Sequence, residues 1–308
     1  MLSSQIMREI TFDFEKSIFL KKNDQFDDHH IFVTGLARSG TTVLLNAIYQ
    51  SNQFASLTYD DMPFILAPNF WAKISSRKGY RRLQERAHGD GIKISTNSPE
   101  AFEEVFWKTF SSDLINREEL LIKFISLILK KNNKTRYLSK NNQNIRRLDV
   151  ISNAFPHSKI LVPFRDPLQQ AFSLFSQHIK FVKKQNEDNF ARDYMKWIGH
   201  SEFGLNYKMI HSSNLKYPNE NEFNHWIEQW YLTYNSILDY KGIYLISHQA
   251  LCSNPEVWNS VKDMIGINED VKFLFKASKK VIDQTFDKHL HDKCYRLYES
   301  LESKSFAR

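Results

Sequence analysis

The stretch IFVTGLARSGTTVLL, residues 31–45, decides the fold class that this sequence predicts. Its first four residues are apolar or β-branched and predict a short buried strand, while Leu44, Leu45 and Ile48 recur at helical spacing. A loop with two glycines joins the strand to the helix. The loop and the first turn of such a helix present unsatisfied backbone N–H groups, and the helix dipole favours negative charge there. The stretch therefore predicts a strand–loop–helix unit that binds phosphate.

This loop matches a Walker A motif in its spacing but not in its charge. Gly35 and Gly40 are separated by four residues, yet Thr41 follows where a P-loop kinase or ATPase has lysine. The cation of the loop is Arg38 instead. Two alternatives stay open, an ordinary strand–helix turn and a P-loop kinase. The residues predicted to bind the phosphate are Arg38, Ser39, Gly40, Thr41 and Thr42.

Further strands and helices alternate along the chain. Strands are predicted at 137–139, 159–164 and 242–246, and helices at 145–155, 168–184, 223–240 and 286–301. Such alternation is typical of an α/β fold with a central parallel sheet, here three-layered and P-loop-like. The polar, mostly helical stretch 71–131 is predicted to be an insertion that covers one end of the sheet. With no linker in the sequence, residues 1–308 are predicted to form a single domain.

Composition excludes several classes of protein. The chain has 42 Lys and Arg against 35 Asp and Glu, a net charge of +7, and its basic residues are spread rather than clustered. That distribution favours anionic small molecules over nucleic acid as partners. Two distant cysteines, Cys252 and Cys294, indicate a reducing compartment. With no signal peptide and no apolar stretch of spanning length, we expect a soluble cytoplasmic protein; its oligomeric state is not predicted.

Two more segments carry residue types that bind anions. LVPFRDP, residues 161–167, places Arg165 after a strand, with Ser173 two helical turns later. Arginine offers a bidentate fork to phosphate. The alternative makes Asp166 a Walker B carboxylate. Lys140 ends another predicted strand, and because ligands of open α/β sheets bind beyond the carboxyl ends of strands, we expect these residues near the loop.

Together the three segments resemble the PAPS-dependent sulfotransferases, which use 3′-phosphoadenylyl sulfate. The loop is most similar to the Pro-Arg-Ser-Gly-Thr-Thr loop of bacterial and tyrosylprotein sulfotransferases, with Ala37 in place of the proline. The resemblance covers residues 31–51, 137–175 and, more weakly, 240–266. It implies that the loop holds the 5′-phosphosulfate, that Arg165 and Ser173 hold the 3′-phosphate, and that Lys140 and Arg38 stabilise the leaving PAP.

A sulfotransferase also needs a base for the acceptor hydroxyl. The resemblance implies a carboxylate shortly after the first helix, so Asp61 is favoured, with Asp60 next. A solvated pair of aspartates that caps a helix at Pro63 is the alternative, and His88, in a glycine-containing loop, is another candidate base. Residues 77–93 hold six Lys and Arg against two Asp and Glu. They favour an anionic acceptor or a carbohydrate, or else form a solvated helix face.

No metal site is predicted, because His29-His30 and the pair His289 and His291 lack companion ligands at metal spacing in the sequence. Sulfuryl transfer is therefore expected to proceed without a divalent metal. A nucleotide-binding module that keeps the phosphate loop but lacks a base is the non-catalytic alternative.

Overall fold

The structure is a computed structural model that describes residues 4–21, 27–75, 84–85, 93–112, 115–269 and 271–306, with the backbone alone at 84–85 and 93–94. His88 and most of the cation-rich stretch 77–93 lie outside these residues.

A five-stranded parallel sheet forms the centre of the fold. Its strands follow the order β2-β5-β1-β6-β7, and β3 and β4 form a separate antiparallel pair. The predicted α/β class with a central parallel sheet is therefore confirmed. The strands are β1 (Ile31–Val33), β2 (Phe54–Ala55), β3 (Gln84–Glu85), β4 (Lys93–Ile94), β5 (Arg136–Lys140), β6 (Lys159–Phe164) and β7 (Ile243–Ser247).

Helices cover both faces of this sheet, and three short 3₁₀ turns lie at 59–61, 142–146 and 204–206. The α-helices are α1 (Gln5–Phe19), α2 (Thr41–Tyr49), α3 (Pro68–Ile74), α4 (Glu104–Thr109), α5 (Arg117–Asn132), α6 (Leu148–Ala154), α7 (Pro167–Glu187), α8 (Asn189–Ile198), α9 (Phe223–Ile237), α10 (His248–Ser253), α11 (Pro255–Ile265) and α12 (Lys288–Lys304).

Alternation of side chains along the strands creates two hydrophobic cores. Ile31 and Val33 of β1 belong to the core that contains residues of α2 and α11, whereas Phe32 points into the larger core, which contains residues of α5, α7 and α9. All three β1 side chains are buried, as expected for a parallel strand covered on both faces. The sheet is therefore the middle layer of three.

The stretch predicted as an insertion, residues 71–131, includes α4 and α5. Leu121, Phe124 and Ile128 of α5 are fully buried in the same core as Phe32. The second half of this stretch thus belongs to a helical layer of the sheet. The division of the chain into one domain with an insertion stays a prediction.

Among the helices that the structure describes, none is both long enough and apolar enough to cross a membrane. Both cysteines are free thiols, Cys294 buried and Cys252 partly so.

Candidate active site

The glycine-containing loop between β1 and α2 includes residues in the left-handed backbone region. Arg38 and Gly40 have positive φ angles of 67° and 103°, in a region where glycine carries no steric penalty. A Cβ atom on Gly40 would also lie 2.7 Å from Cδ2 of His248, so only glycine fits there. Gly40 is the N-cap residue of α2 and offers no side-chain cap, so the first N–H groups of α2 are available to an anion.

A cavity of about 280 Å³ opens above this loop. One part of its wall, here called the donor end, consists mostly of residues at or just after the carboxyl ends of β1, β5, β6 and β7, as expected for an open α/β sheet. Lys276 and Ser278, from the stretch between α11 and α12, complete it. The residues of the donor end are Ala37, Arg38, Gly40, Thr41, Thr42, Val43, Lys140, Asn141, Asn142, Arg165, His248, Lys276 and Ser278.

The donor end is strongly cationic. The pKa of Arg165 is lowered, first by burial and then by the neighbouring charge of Arg38. The pKa of Lys280, which lies near these arginines without lining the cavity, is lowered first by burial and then by Arg38, Lys180 and Arg165. These cations repel one another, and a bound polyanion would relieve that repulsion. The electrostatics therefore favour an anion with several negative charges.

The two predicted serines are buried rather than exposed in the cavity. Ser173 accepts a 3.0 Å hydrogen bond from Nε of Arg38, and Ser39 is fully buried within the loop. Arg165 donates to the backbone oxygen of Ser278. Ser173 is thus close to Arg38, and its contact with a ligand stays a prediction.

Asn142 connects the phosphate loop to a carboxylate that the sequence analysis did not identify. Its Oδ1 accepts a hydrogen bond from Thr41 Oγ1 at 3.2 Å, and its Nδ2 donates to Glu202 Oε1 at 3.3 Å. Lys140, the last residue of β5, lines the same part of the cavity. Glu202 therefore lies one side chain away from the loop, next to the predicted leaving-group lysine.

Glu202 is held ionised by its surroundings. Burial would raise its pKa, but the nearby His200 and Lys140 and two backbone N–H groups lower it further than burial raises it, so the net shift is downward. His200 Nε2 lies 3.5 Å from Glu202 Oε2, and the imidazole stacks on Phe181. Both His200 and Glu202 line the cavity. The ionised carboxylate of Glu202 can therefore accept a proton at neutral pH.

The structure places Asp61 outside this cavity, with both oxygens engaged. Its Oδ2 accepts from the backbone N–H and the hydroxyl of Thr58, and its Oδ1 lies 2.7 Å from Lys131 Nζ. Asp61 is therefore buried and closes the capping box of the 3₁₀ turn at 59–61, whose N-cap residue is Thr58. The alternative, a solvated aspartate pair that caps a helix at Pro63, differs from this arrangement, since the next helix begins at Pro68. Asp60 does not line the cavity either. This geometry disfavours both as the base.

We expect Asp61→Asn to destabilise the fold by about 3 kcal/mol, since loss of one partner leaves the other charge of a buried pair uncompensated. Urea unfolding monitored by circular dichroism measures the change. Asp60→Asn is the matched control and should shift stability by less than about 0.5 kcal/mol. An Asp61→Asn protein of normal stability without turnover would contradict the structural role and restore Asp61 as the base.

The rest of the cavity wall, here called the acceptor end, combines apolar surface with carboxylates. Glu104 is held by a bidentate ion pair, with both Arg147 Nη atoms 2.8 Å from its oxygens. The residues of the acceptor end are Tyr59, Glu100, Ala101, Phe102, Glu104, Lys184, Ala191, Tyr194, Met195, Ile198, Gly199, His200, Glu202 and Phe203.

A surface cluster gives His29 the companion metal ligands that the sequence analysis did not find. The carboxylates of Asp27 and Asp28 do accompany His29, with potential ligand atoms within 4.8 Å of one another. His157 also contacts Asp28, at 2.6 Å. None of these residues lines the cavity, and the predicted absence of a metal stays a prediction.

The family of the chain follows from a match over most of its length. The Sulfotransferase family matches residues 30–240, more than half of the chain. The chain belongs to the sulfotransferase family. The match spans the phosphate loop, Lys140, Arg165 and Glu202, so most of the donor end lies within the part of the chain that carries the family pattern. No curated protein matches the sequence.

Solved sulfotransferase structures show distant similarity to this family member. Sulfotransferase STF1 from Mycobacterium tuberculosis H37Rv is 11% identical, with 97% of this chain and 83% of that chain covered and a TM-score of 0.46. STF9 from Mycobacterium avium is 12% identical, with 98% and 74% covered and a TM-score of 0.43. A sulfotransferase from Alicyclobacillus acidocaldarius is 14% identical, with 89% and 94% covered and a TM-score of 0.38. The family assignment rests on the family match alone.

Proposed function

We propose that this sulfotransferase transfers the sulfuryl group of PAPS to a hydroxyl acceptor. The observation that carries the proposal is the convergence of Arg38, Lys140 and Arg165 with the N-terminal N–H groups of α2 at one end of a cavity. PAPS brings a phosphosulfate and a 3′-phosphate, and a site with two separate arginines and a helix N-terminus matches that charge pattern.

Each donor-end residue has a proposed role. The loop residues 38–42 hold the 5′-phosphosulfate, with Arg38 oriented by its hydrogen bond to Ser173, and Arg165 holds the 3′-phosphate. In the reaction an acceptor oxygen bonds to sulfur while the bond between sulfur and the bridging phosphate oxygen breaks. The departing PAP gains negative charge, which Lys140 and Arg38 stabilise electrostatically.

The proton of the acceptor hydroxyl goes to Glu202 in this proposal. The carboxylate is ionised, lines the cavity and is joined through Asn142 to Thr41 of the phosphate loop. His200 orients it and lowers its pKa. Glu202 thereby replaces Asp61 and Asp60 as the proposed base, while His88 stays an untested candidate. A carbohydrate hydroxyl is one acceptor within this proposal, and a cytoplasmic location is proposed with it from the free cysteines.

We expect full sulfuryl transfer from PAPS in excess EDTA, with no consumption of ATP in the presence of Mg²⁺. A kinase must neutralise a triphosphate with Mg²⁺, whereas here the transferring sulfuryl group meets Arg38, Lys140 and backbone N–H groups. The assay follows radiolabelled sulfate from PAPS beside ATP hydrolysis. A strict Mg²⁺ requirement with ATP turnover would establish the kinase alternative. PAP binding without turnover for any acceptor would establish the non-catalytic module.

A further inference from the structure

The acceptor end of the cavity has a chemical character opposite to that of the donor end. Three carboxylates line it, but Glu104 is paired with Arg147 and Glu202 lies beside His200. The third, Glu100, accepts hydrogen bonds from uncharged donors. Lys184 is the one lysine or arginine lining this end among the residues that the structure describes. The remaining lining residues are mostly apolar or aromatic. A cavity with a cationic donor end and an acceptor end where a carboxylate lies among aromatic rings favours an acceptor whose charge differs from that of the polyanionic donor.

Aromatic rings and a carboxylate are adjacent at this end. Tyr59 and Phe102 form an edge-to-face pair with ring centroids 5.1 Å apart at 90°. The Tyr59 hydroxyl donates to Glu100 Oε2 at 3.0 Å, and the backbone N–H of Ala101 donates to its other oxygen at 2.9 Å. The Glu100 carboxylate is thus fixed beside these two rings.

Tyr194 of α8 completes this group. Its pKa is raised to about 12, first by burial and then by the negative charge of Glu100. The phenol is therefore neutral and lies within the electrostatic influence of that carboxylate. Met195, on the same helix, and Phe203 are buried and add apolar surface to the cavity. Aromatic faces bind apolar groups and attract cations, and a carboxylate beside them strengthens the attraction for a cation while it repels an anion.

Resting on the proposed sulfuryl transfer, we infer that the acceptor is an uncharged or amine-bearing alcohol or phenol with an apolar face, and that acidic acceptors are rejected. The apolar face packs on Tyr194 and Ile198, which line the cavity and are partly exposed, and an ammonium group, where present, lies by Glu100. This acceptor class differs from the anionic acceptor that the lysines and arginines of residues 77–93 predict. An apolar face includes the C–H face of a pyranose, so a neutral or amino sugar fits and a uronic acid does not.

Two sets of matched acceptors test the inference. The first is tyramine, para-ethylphenol and para-hydroxyphenylpropionate, and the second is the methyl glycosides of glucosamine, glucose and glucuronic acid. We expect the acidic member of each set to have a kcat/KM about 10- to 100-fold below that of the amine or neutral member, which is the range for one like charge held nearby at low salt. Glu100→Gln should reduce this discrimination, and Glu299→Gln, on the exposed face of α12, should not.

Binding of the same six compounds to the PAP-loaded protein, measured by NMR line broadening, gives a readout that needs no transfer. The expected binding order without any turnover would support the acceptor class and count against the proposed function. Turnover with the acidic members equal or superior would overturn the acceptor class and leave the proposed function intact. Failure of every amine and neutral member to bind or react would also overturn it.

Discussion

Replacement of Glu202 by glutamine is expected to lower kcat by about 10²- to 10⁴-fold, the usual contribution of a positioned base, with PAP affinity changed by no more than about threefold. Glutamine keeps the size of the side chain and can still accept from Asn142, but it cannot take the acceptor proton. Steady-state assays with PAPS, beside titration of PAP by calorimetry, measure the two quantities. Asp61→Asn, assayed at a temperature where it is folded, should keep near-normal turnover.

A second substitution tests whether Glu202 acts through its charge or only through its packing. His200 is one cause of the lowered pKa of Glu202, so His200→Asn should raise that pKa and move the acid limb of the kcat–pH profile to higher pH. A loss of turnover in His200→Asn that is equal at every pH would contradict the electrostatic role. If Glu202→Gln kept normal turnover, the base would have to be sought elsewhere, with His88 first.

Replacement of Arg165 by alanine is expected to weaken PAP binding by about 10- to 150-fold, the range that corresponds to about 1.5–3 kcal/mol for a charge-assisted hydrogen bond. AMP, which lacks the 3′-phosphate, should bind the variant and the original protein almost equally. Calorimetric titration of both nucleotides into both proteins measures the difference. The original protein should likewise prefer PAP to AMP.

Two variants serve as controls for Arg165. Arg165→Lys should recover part of the PAP affinity, because lysine supplies the charge without the bidentate fork, and Arg296→Ala, exposed on α12, should change neither affinity. An equal loss for PAP and AMP in Arg165→Ala would contradict the 3′-phosphate assignment. It would indicate instead that the bond from Arg165 to Ser278 supports the wall of the cavity.

Elements of the fold could be predicted where a local sequence pattern specifies them. β1 and α2 were identified because apolar spacing and two glycines specify them within 20 residues, and Lys140 and Arg165 were placed at the cavity by the rule for strand ends. The two-residue strand β2 was missed, since so short a strand carries no periodic pattern and is defined by its pairing with β5.

The proposed base, Glu202, could not be predicted in the same way. Asp61 and Glu202 are equally plain carboxylates in the sequence, and what separates them is tertiary structure. Lys131, 70 residues from Asp61 in the sequence, forms an ion pair with it. Asn142, 60 residues from Glu202, connects that carboxylate to the phosphate loop. Asn142 follows Lys140 and Asn141 in the sequence, but the sequence does not show that its side chain bonds to both Thr41 and Glu202.

The contact between Gly40 and His248 has a consequence for variation among relatives of this chain. The imidazole occupies the space that any side chain at position 40 would need, because its Cδ2 atom lies 2.7 Å from where a Cβ atom would be. The residues at positions 40 and 248 therefore restrict each other's size, although more than 200 residues separate them in the sequence. A larger ring at 248 would press on the backbone of the loop, and a smaller residue would leave a gap beneath it. We expect residue 248 to co-vary with the loop rather than with its own neighbours in α10.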